Sequence, residues 1–235
     1  MPTITATKYA PAVGPGGSNF NTARTSNATT ANNQTTSSSI RSTAYFQDSG
    51  KGVYYQFYRL FCAFNTSSYS GQTISNVTFN WRSTTGGTNT FPIIALKHTA
   101  QGSGTSFSDF STSDFYSAID YSTLYSANSN SNTWPDANSS NSISLNSAAQ
   151  TAISSGSFRC VIVDKVYDFG NSNNPFTDVD NFGNAAYNTS TYLPSITFTA
   201  TSAGYSYGVN GVDSGDITAV NAIESADITT VIGVE

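Results

Sequence analysis

The chain has 235 residues, a formal net charge of −5 and a pI of about 4.6. Charged residues make up only 10% of it and aromatic residues 13%, and Ser, Thr and Asn are abundant. The negative charge argues against binding to nucleic acid or to an anionic membrane, and the aromatic content argues against a disordered chain. Many short polar residues together with many aromatics are typical of an all-β protein rich in turns.

The first 17 residues predict an extended N-terminal arm. Three prolines (Pro2, Pro11 and Pro15) and a glycine cluster disfavour both a helix and a central strand. If such an arm is ordered, we expect a neighbouring subunit to hold it. No secretory signal peptide follows Met1, so we expect synthesis in the cytoplasm. The composition still suits an exposed protein, and a virion protein released by lysis meets both conditions.

Residues 53–67 form the longest dense apolar run, and Arg59 is the only charge in it. Aromatic enrichment without a polar stripe predicts a strand that is buried on both faces, and disfavours a helix. A strand covered on both sides requires a sandwich.

Further strands follow from alternation or from short apolar runs. Short helical turns are expected near residues 113–119 and after Asn146. About eight strands in all predict a jelly-roll-type antiparallel β-sandwich over residues 18–203. The clearest of the additional strands are residues 71–82, 91–98, 158–166 and 192–201.

Residues 204–235 contain an eleven-residue repeat, in which the V-N-G-V pattern at 209–212 recurs at 220–223 and 231–234. Short strands with turns are favoured over a helix, because glycines and β-branched residues are frequent. One such repeat buries little surface alone, so we expect a docking tail. The apolar residues expected to mediate assembly are Val209, Val212, Ile217, Val220, Ile223, Ile228, Val231 and Val234.

The two cysteines, Cys62 and Cys160, each lie in a predicted core strand. Buried free thiols are the favoured interpretation, and a disulfide remains open if the strands are neighbours. His98 is the only histidine, and we expect a surface or hydrogen-bonded residue there. A catalytic triad would need His98, but no G-x-S-x-G sequence supplies a nucleophile.

Two further groups of residues are candidate sites. Asp164, Asp168, Asp178 and Asp180 follow a core strand and could supply oxygen ligands to a structural Ca²⁺, although turn formation is the favoured use. The aromatic residues of the long loops could instead form a platform on which a sugar stacks, although packing under the loops is the more usual role. These aromatic residues are Tyr116, Tyr121, Tyr125 and Trp134.

Two segments resemble known families. Residues 59–67, RLFCAFNTS, with ISNVTF at 74–79, resemble a strand pair of carbohydrate-binding-like jelly rolls, which occur in secreted proteins and in tailed-phage structural proteins. Asn65 stands where that pattern usually has Asp, which puts a ligand role for this position in doubt. The tail from residue 207 is similar to V-N-G-V repeats at the ends of tailed-phage structural proteins.

The resemblance implies a non-enzymatic accessory structural protein of a phage virion, with no cofactor. Capsid decoration or a head fibre is favoured over a tail component. Other virion proteins are the expected partners, and a homo-oligomer, with a trimer favoured, is the expected assembly. The alternative is a carbohydrate-binding module that attaches to a host glycan. A hydrolase would require two facing carboxylates or a triad at His98.

Overall fold

Two antiparallel sheets packed face to face make up most of the structure, a computed structural model, and the predicted all-β sandwich is confirmed. No helix in the described part of the chain has the length and apolar character needed to cross a membrane. The structure describes residues 1–31, 40–41, 44–48, 53–82, 91–128, 133–134, 140–172, 184–185, 193–202, 219–220 and 223–224.

The smaller sheet has four strands, and every neighbouring pair in it is antiparallel. In spatial order its strands are β1 (Thr3–Thr5), β16 (Ser195–Thr201), β7 (Thr73–Arg82) and β13 (Ser140–Ser144).

The larger sheet has eight strands, six of them in one continuous path. In spatial order the path is β11 (Ile119–Leu124), β8 (Phe91–His98), β14 (Ser157–Asp164), β6 (Val53–Asn65), β2 (Lys8–Val13) and β3 (Thr30–Ala31). Two more strands pair outside the path, namely β12 (Thr133–Trp134) with β8 and β5 (Ala44–Asp48) with β6.

Short elements complete the described structure. Three further two-stranded pairs are β9 (Gly102–Ser103) with β10 (Ser106–Phe107), β4 (Ile40–Arg41) with β15 (Asn184–Ala185), and β17 (Ala219–Val220) with β18 (Ile223–Glu224). The helical elements are α1 (Phe20–Thr25), α2 (Asp114–Ser117), α3 (Ser147–Ser154), a 3₁₀ turn (Ser67–Tyr69) and a π-helical turn (Lys165–Phe169).

The central strand β6 is buried on both faces, as predicted. Leu60, Cys62 and Phe64 point into the core between the two sheets, which is lined by apolar residues of β7, β16 and β14. Phe57 and Phe61 point to the opposite side and pack in a second core under α1 and α2. The larger sheet is therefore the middle layer of three, which explains why β6 is apolar at nearly every position.

Helix α3 closes one end of the core between the sheets. The side chain of Asn146 accepts hydrogen bonds from the backbone N–H groups of Ala148 and Ala149, which caps the first turn. Ala149 and Ile153 are fully buried in the core between the sheets, and Ala148 and Ala152 pack against its edge, whereas the other four residues of the helix are polar. The expected helix after Asn146 is therefore present, and its polar face is available to line clefts.

Residues 1–17 are extended, as predicted, but strands of the same chain hold them. β1 pairs with β16 in the smaller sheet, and β2 pairs with β6 in the larger one. Tyr9, Ala10 and Ala12 are fully buried. The expectation that a neighbouring subunit clamps this segment is therefore wrong for the two strands, because backbone pairing and burial within the sandwich already order them.

Candidate functional site

A buried ion pair lies on the face of the larger sheet that α1 and α2 cover. The guanidinium of Arg59, on β6, donates from Nε to Asp168 Oδ2 at 2.6 Å and from Nη2 to Asp168 Oδ1 at 2.8 Å. Both side chains are fully buried. A two-point pair of this geometry is the strongest form of arginine–carboxylate contact.

Two further residues complete this arginine–aspartate cluster, which comprises Arg24, Arg59, Tyr121 and Asp168. The Tyr121 hydroxyl donates to Asp168 Oδ1 at 2.9 Å. Arg24 Nε donates to the backbone carbonyl of Asp168 at 2.7 Å and lies 3.4 Å from its Oδ1. Arg59 also donates to the backbone carbonyls of Phe115 and Arg24, at 2.5 and 2.9 Å. The cluster thus joins α1, α2, β11 and the π-helical turn to the central strand.

Electrostatics keep the Arg59 guanidinium charged despite its burial. Burial alone would lower the pKa of Arg59, but the adjacent charge and hydrogen bonds of Asp168 outweigh burial and raise that pKa. The guanidinium also lies over the Phe115 ring, with Cζ 4.1 Å from the centroid. All oxygens of Asp168 face donors of the same chain, so the cluster acts as an internal brace.

Asp164 starts the π-helical turn next to the cluster. Its Oδ1 accepts from the backbone N–H groups of Val166 and Tyr167, at 2.8 and 2.6 Å, whereas its Oδ2 is buried without a hydrogen-bond partner among the described residues. Burial raises the pKa of Asp164 to about 7. A neutral, protonated carboxyl therefore suits this position at mildly acidic pH.

The only histidine is buried and hydrogen-bonded. His98 Nε2 lies 3.1 Å from the carbonyl oxygen of Cys62, and since a carbonyl only accepts, Nε2 carries the proton. Burial lowers the pKa of His98 to about 4. The ring is thus neutral at physiological pH. It packs edge-on against Phe61 of the second core, with ring centroids 5.1 Å apart, and its hydrogen bond agrees with the hydrogen-bonded alternative predicted for it.

The two cysteines lie directly opposite each other on neighbouring strands. Cys62 of β6 pairs in register with Cys160 of β14, and both are free, fully buried thiols in the core between the sheets. Burial raises the pKa of both thiols. They pack as small apolar side chains, the favoured interpretation of the sequence.

The predicted calcium site is not assembled by the residues that can be placed. Asp168 is occupied by two arginines and a tyrosine, and Asp164 caps the π-helical turn. No group of three potential metal ligands exists within the described residues. Asp178 and Asp180 lie outside them. A cation beside Asp168 would have to displace the buried Arg59, which makes the calcium hypothesis wrong for that residue.

The predicted aromatic platform is not formed either. Tyr125 is only 4% exposed and packs in the core between the sheets, with its ring centroid 5.1 Å from that of Phe158. Tyr116 and Tyr121 form a half-buried pair, 5.5 Å apart, beside the Arg24 guanidinium. Trp134 is described only by its backbone pairing with Phe91. Since Tyr125 is buried away from the other two tyrosines, the prediction of one exposed sugar-stacking row is wrong.

Little of the predicted docking tail lies within the described residues. Val220 pairs with Ile223 in the hairpin β17–β18, which agrees with the strand interpretation at that point. The other predicted assembly residues fall outside the description: Val209, Val212, Ile217, Ile228, Val231 and Val234.

Two open clefts flank α3. The neutral cleft, about 560 Å³, is lined by Gln72, Gln150, Thr73, Ser147 and neighbouring residues. The cationic cleft, about 450 Å³, lies between α3 and the ends of β8 and β14. Its polar lining includes two cations and four hydroxyl side chains, together with the buried His98 and Tyr125. The cations and hydroxyl residues are Lys97, Arg159, Thr123, Thr151, Ser155 and Ser157. Both volumes fall in the range of small-molecule sites.

The arginine–aspartate cluster and the cationic cleft were not predicted from the sequence, although charged residues within apolar strands could have indicated both. Arg59 is a lone charge in a strand buried on both faces, and a charge in such a place needs a partner. Lys97 is likewise the one formally charged residue of its apolar strand, and Arg159 lies near the start of another; here both open onto a cleft. Scans of the chain against protein-family models and against curated proteins returned no match.

Proposed function

We propose that this chain is a non-enzymatic accessory structural protein of a tailed-phage virion, which works by contacts between subunits and with other virion proteins. Capsid decoration or a head fibre is the favoured place, ahead of a tail component, and a trimer is the favoured assembly. The V-N-G-V repeats of the tail and the sandwich fold support this proposal.

One observation carries the non-enzymatic part: the reactive groups of the described core are enclosed by the fold and serve it. Asp168 is saturated by Arg59, Arg24 and Tyr121. His98 is neutral and fixed to a backbone carbonyl, and both cysteines are buried. Groups held in this way brace the layers of the sandwich and are almost completely enclosed, including His98, which is 2% exposed at the edge of the cationic cleft.

The charge of the chain supports protein partners over nucleic acid. A net charge of −5 repels phosphate backbones, and the described surface of α3 is hydroxyl- and amide-rich. Repeated subunits of modest individual affinity gain avidity when several bind together, which suits a protein that covers a virion surface.

The assembly is tested by light scattering on the full chain and on a version that ends at Ala203. A full-length trimer with a monomeric truncation would make the repeats the oligomerisation element. The same trimer for both would assign assembly to the sandwich and leave the tail for a partner. A full-length monomer would overturn the self-assembling part of the proposal.

The virion assignment needs its own experiment. Particles from a lysate of the host that carries the gene are purified on a density gradient and analysed by quantitative mass spectrometry. We expect the chain to sediment with intact particles at a fixed ratio to the major capsid protein. Recovery only in the soluble fraction, away from particles, would refute the assignment.

A further inference from the structure

The cationic cleft combines two positive charges with a hydroxyl-rich wall. Lys97 is exposed and Arg159 is half-buried, and neither forms an ion pair with a carboxylate of the described residues. Helix α3 supplies the opposite wall with Thr151 and Ser155. In a chain with more acidic than basic residues, two unpaired cations in one cleft form a local site for an anion.

Neutral groups hold Arg159 in place, so its charge is not offset. Its Nη1 donates to Ser157 Oγ at 2.6 Å, its Nη2 donates to the carbonyl of Gly104 at 2.8 Å, and its Cζ lies 4.7 Å from the Phe107 ring centroid. The Nε is buried and has no hydrogen-bond partner within the described structure. A guanidinium fixed in this way is preorganised for an anionic ligand.

One carboxylate lies near and sets the net charge of the cleft. Asp120 is opposite Lys97 in the register of β11 and β8. Its oxygens accept hydrogen bonds from the hydroxyls and backbone N–H groups of Ser122 and Thr123, which lowers its pKa and keeps it ionised. Two cations and this carboxylate leave about one positive charge, which suits a monoanion better than a doubly charged phosphate.

The hydroxyl groups of the cleft favour a ligand that donates hydrogen bonds, because their own protons are already donated within the protein. The proton of Thr123 is donated to Asp120, that of Thr151 to the Ser147 carbonyl, and that of Ser155 to the Ala152 carbonyl. The three hydroxyl oxygens keep lone pairs and can therefore accept hydrogen bonds. A matching ligand carries several O–H donors and one anionic acceptor group.

We propose that the cationic cleft binds one carboxylated sugar unit, such as a uronic acid, with its carboxylate at Lys97 and Arg159 and its hydroxyls at the α3 wall. A volume of about 450 Å³ admits a sugar ring with its waters. The neutral cleft shares Thr151 and Ser155 with the cationic cleft but has no cation in its lining, so it serves as an internal comparison. Of the four aromatic residues first considered for glycans, the buried Tyr125 also lines this cleft, but its ring is only 4% exposed and the proposal rests on the cations and hydroxyls. The site does not depend on the proposed assembly.

The test is a titration of the ¹⁵N-labelled full chain with D-glucuronate, D-glucose, acetate and inorganic phosphate, followed by NMR chemical shifts. We expect glucuronate to shift resonances of β8, β14 and α3, with at least about tenfold tighter binding than glucose or acetate, since a charge-assisted contact and hydroxyl contacts are both required. Equal binding of glucose would overturn the role of the cations. Equal binding of phosphate or acetate would overturn recognition of a sugar.

Matched variants locate the site. Lys97→Gln removes an exposed cation from the cleft, and we expect it to weaken glucuronate binding roughly tenfold. Lys8→Gln makes the same change outside the cleft and should leave binding within about twofold, as expected for a surface charge. Circular dichroism checks that both variants are folded. An unchanged affinity for Lys97→Gln, or equal losses in both variants, would refute the site.

Discussion

Removal of the charge of Asp168 should strongly destabilise the fold. Asp168→Asn keeps the size of the side chain but leaves Arg59 and Arg24 as buried guanidiniums without a counter-charge. Breaking one partner of a buried ion pair costs about 3–5 kcal/mol, a large part of the total stability of a typical protein. For a chain of this length, such a loss corresponds to a fall in Tm of roughly 6–20 °C.

Urea unfolding followed by tryptophan fluorescence measures this change, and Asp109→Asn is the matched control. Asp109 forms an ion pair with Lys8, but its side chain is 67% exposed. An exposed pair contributes about 0–1 kcal/mol, so the control should unfold almost as the wild type does. If Asp168→Asn were within about 1 kcal/mol of the wild type, the cluster would not brace the layers and the argument would be refuted.

Three more predictions follow from buried groups. Because burial raises the pKa of Asp164, its contribution to the free energy of unfolding is lost as pH rises from about 4 to about 7. Because burial lowers the pKa of His98, its contribution is lost as pH falls from 6.5 to about 4. The two pH dependences therefore oppose each other. In Asp164→Asn only the His98 dependence remains, so the free energy of unfolding should rise more steeply with pH between 4 and 6.5 than in the wild type, by up to about 1.4 kcal/mol per pH unit. Equal slopes for the two proteins, measured by urea titration at several pH values, would contradict this. A Cβ at Gly14 would lie 2.8 Å from a phenylalanine ring carbon, so Gly14→Ala should lose about 1–3 kcal/mol in thermal unfolding. A Cβ at Gly17 would have nothing within 4 Å, so the free energy of unfolding of Gly17→Ala should stay within about 0.5 kcal/mol of the wild type. Equal losses of stability in Gly14→Ala and Gly17→Ala would refute the packing argument. Both thiols should resist a disulfide reagent in the native protein and react in urea; fast native labelling would show that the core opens.

The strands with a strong local pattern could be predicted from the sequence. Val77, Phe79 and Trp81 alternate with polar residues, and all three are buried in β7. The apolar run at Phe91–His98 has the same bounds as β8. Such patterns report burial directly, because successive residues of a strand face opposite sides.

The N-terminal strand could not be predicted, because its proline is tolerated for a non-local reason. Gly14 donates its backbone N–H to Phe57 of β6, so alternate residues of β2 donate in that direction. Pro11 belongs to the alternate residues of β2 whose backbone nitrogens point toward β3 instead of β6. The described pairing of β3 with β2 covers only Ala12 and Val13, so it does not include Pro11. The missing N–H of Pro11 therefore costs no hydrogen bond with β6, a fact that only the sheet order reveals.

The candidate sites depended on contacts between distant segments. Arg59 and Asp168 are 109 residues apart in the sequence. Arg59 was notable as the only charge in an apolar strand, and Asp168 was predicted as a possible calcium ligand, so nothing in the sequence linked the two. Lys97 and Arg159 were parts of two core strands, and their common cleft exists only because α3 packs across the end of the sandwich. Sequence patterns mark such residues as unusual, but they do not say which of them meet.

The position of Arg59 explains why the second core contains a buried ion pair. Helix α1 has six residues and α2 has four, so both are too short to be stable alone, and most of their carbonyls lack partners within the helix. Arg59 donates to a carbonyl of each helix, at Arg24 and at Phe115, while Asp168 holds its charge. An apolar side chain of the same volume could replace many buried ion pairs at little cost, but here it would leave two buried carbonyls without donors. The charge is thus retained because it fixes two short helices to the central strand, and this joint orders the outer layer of the sandwich.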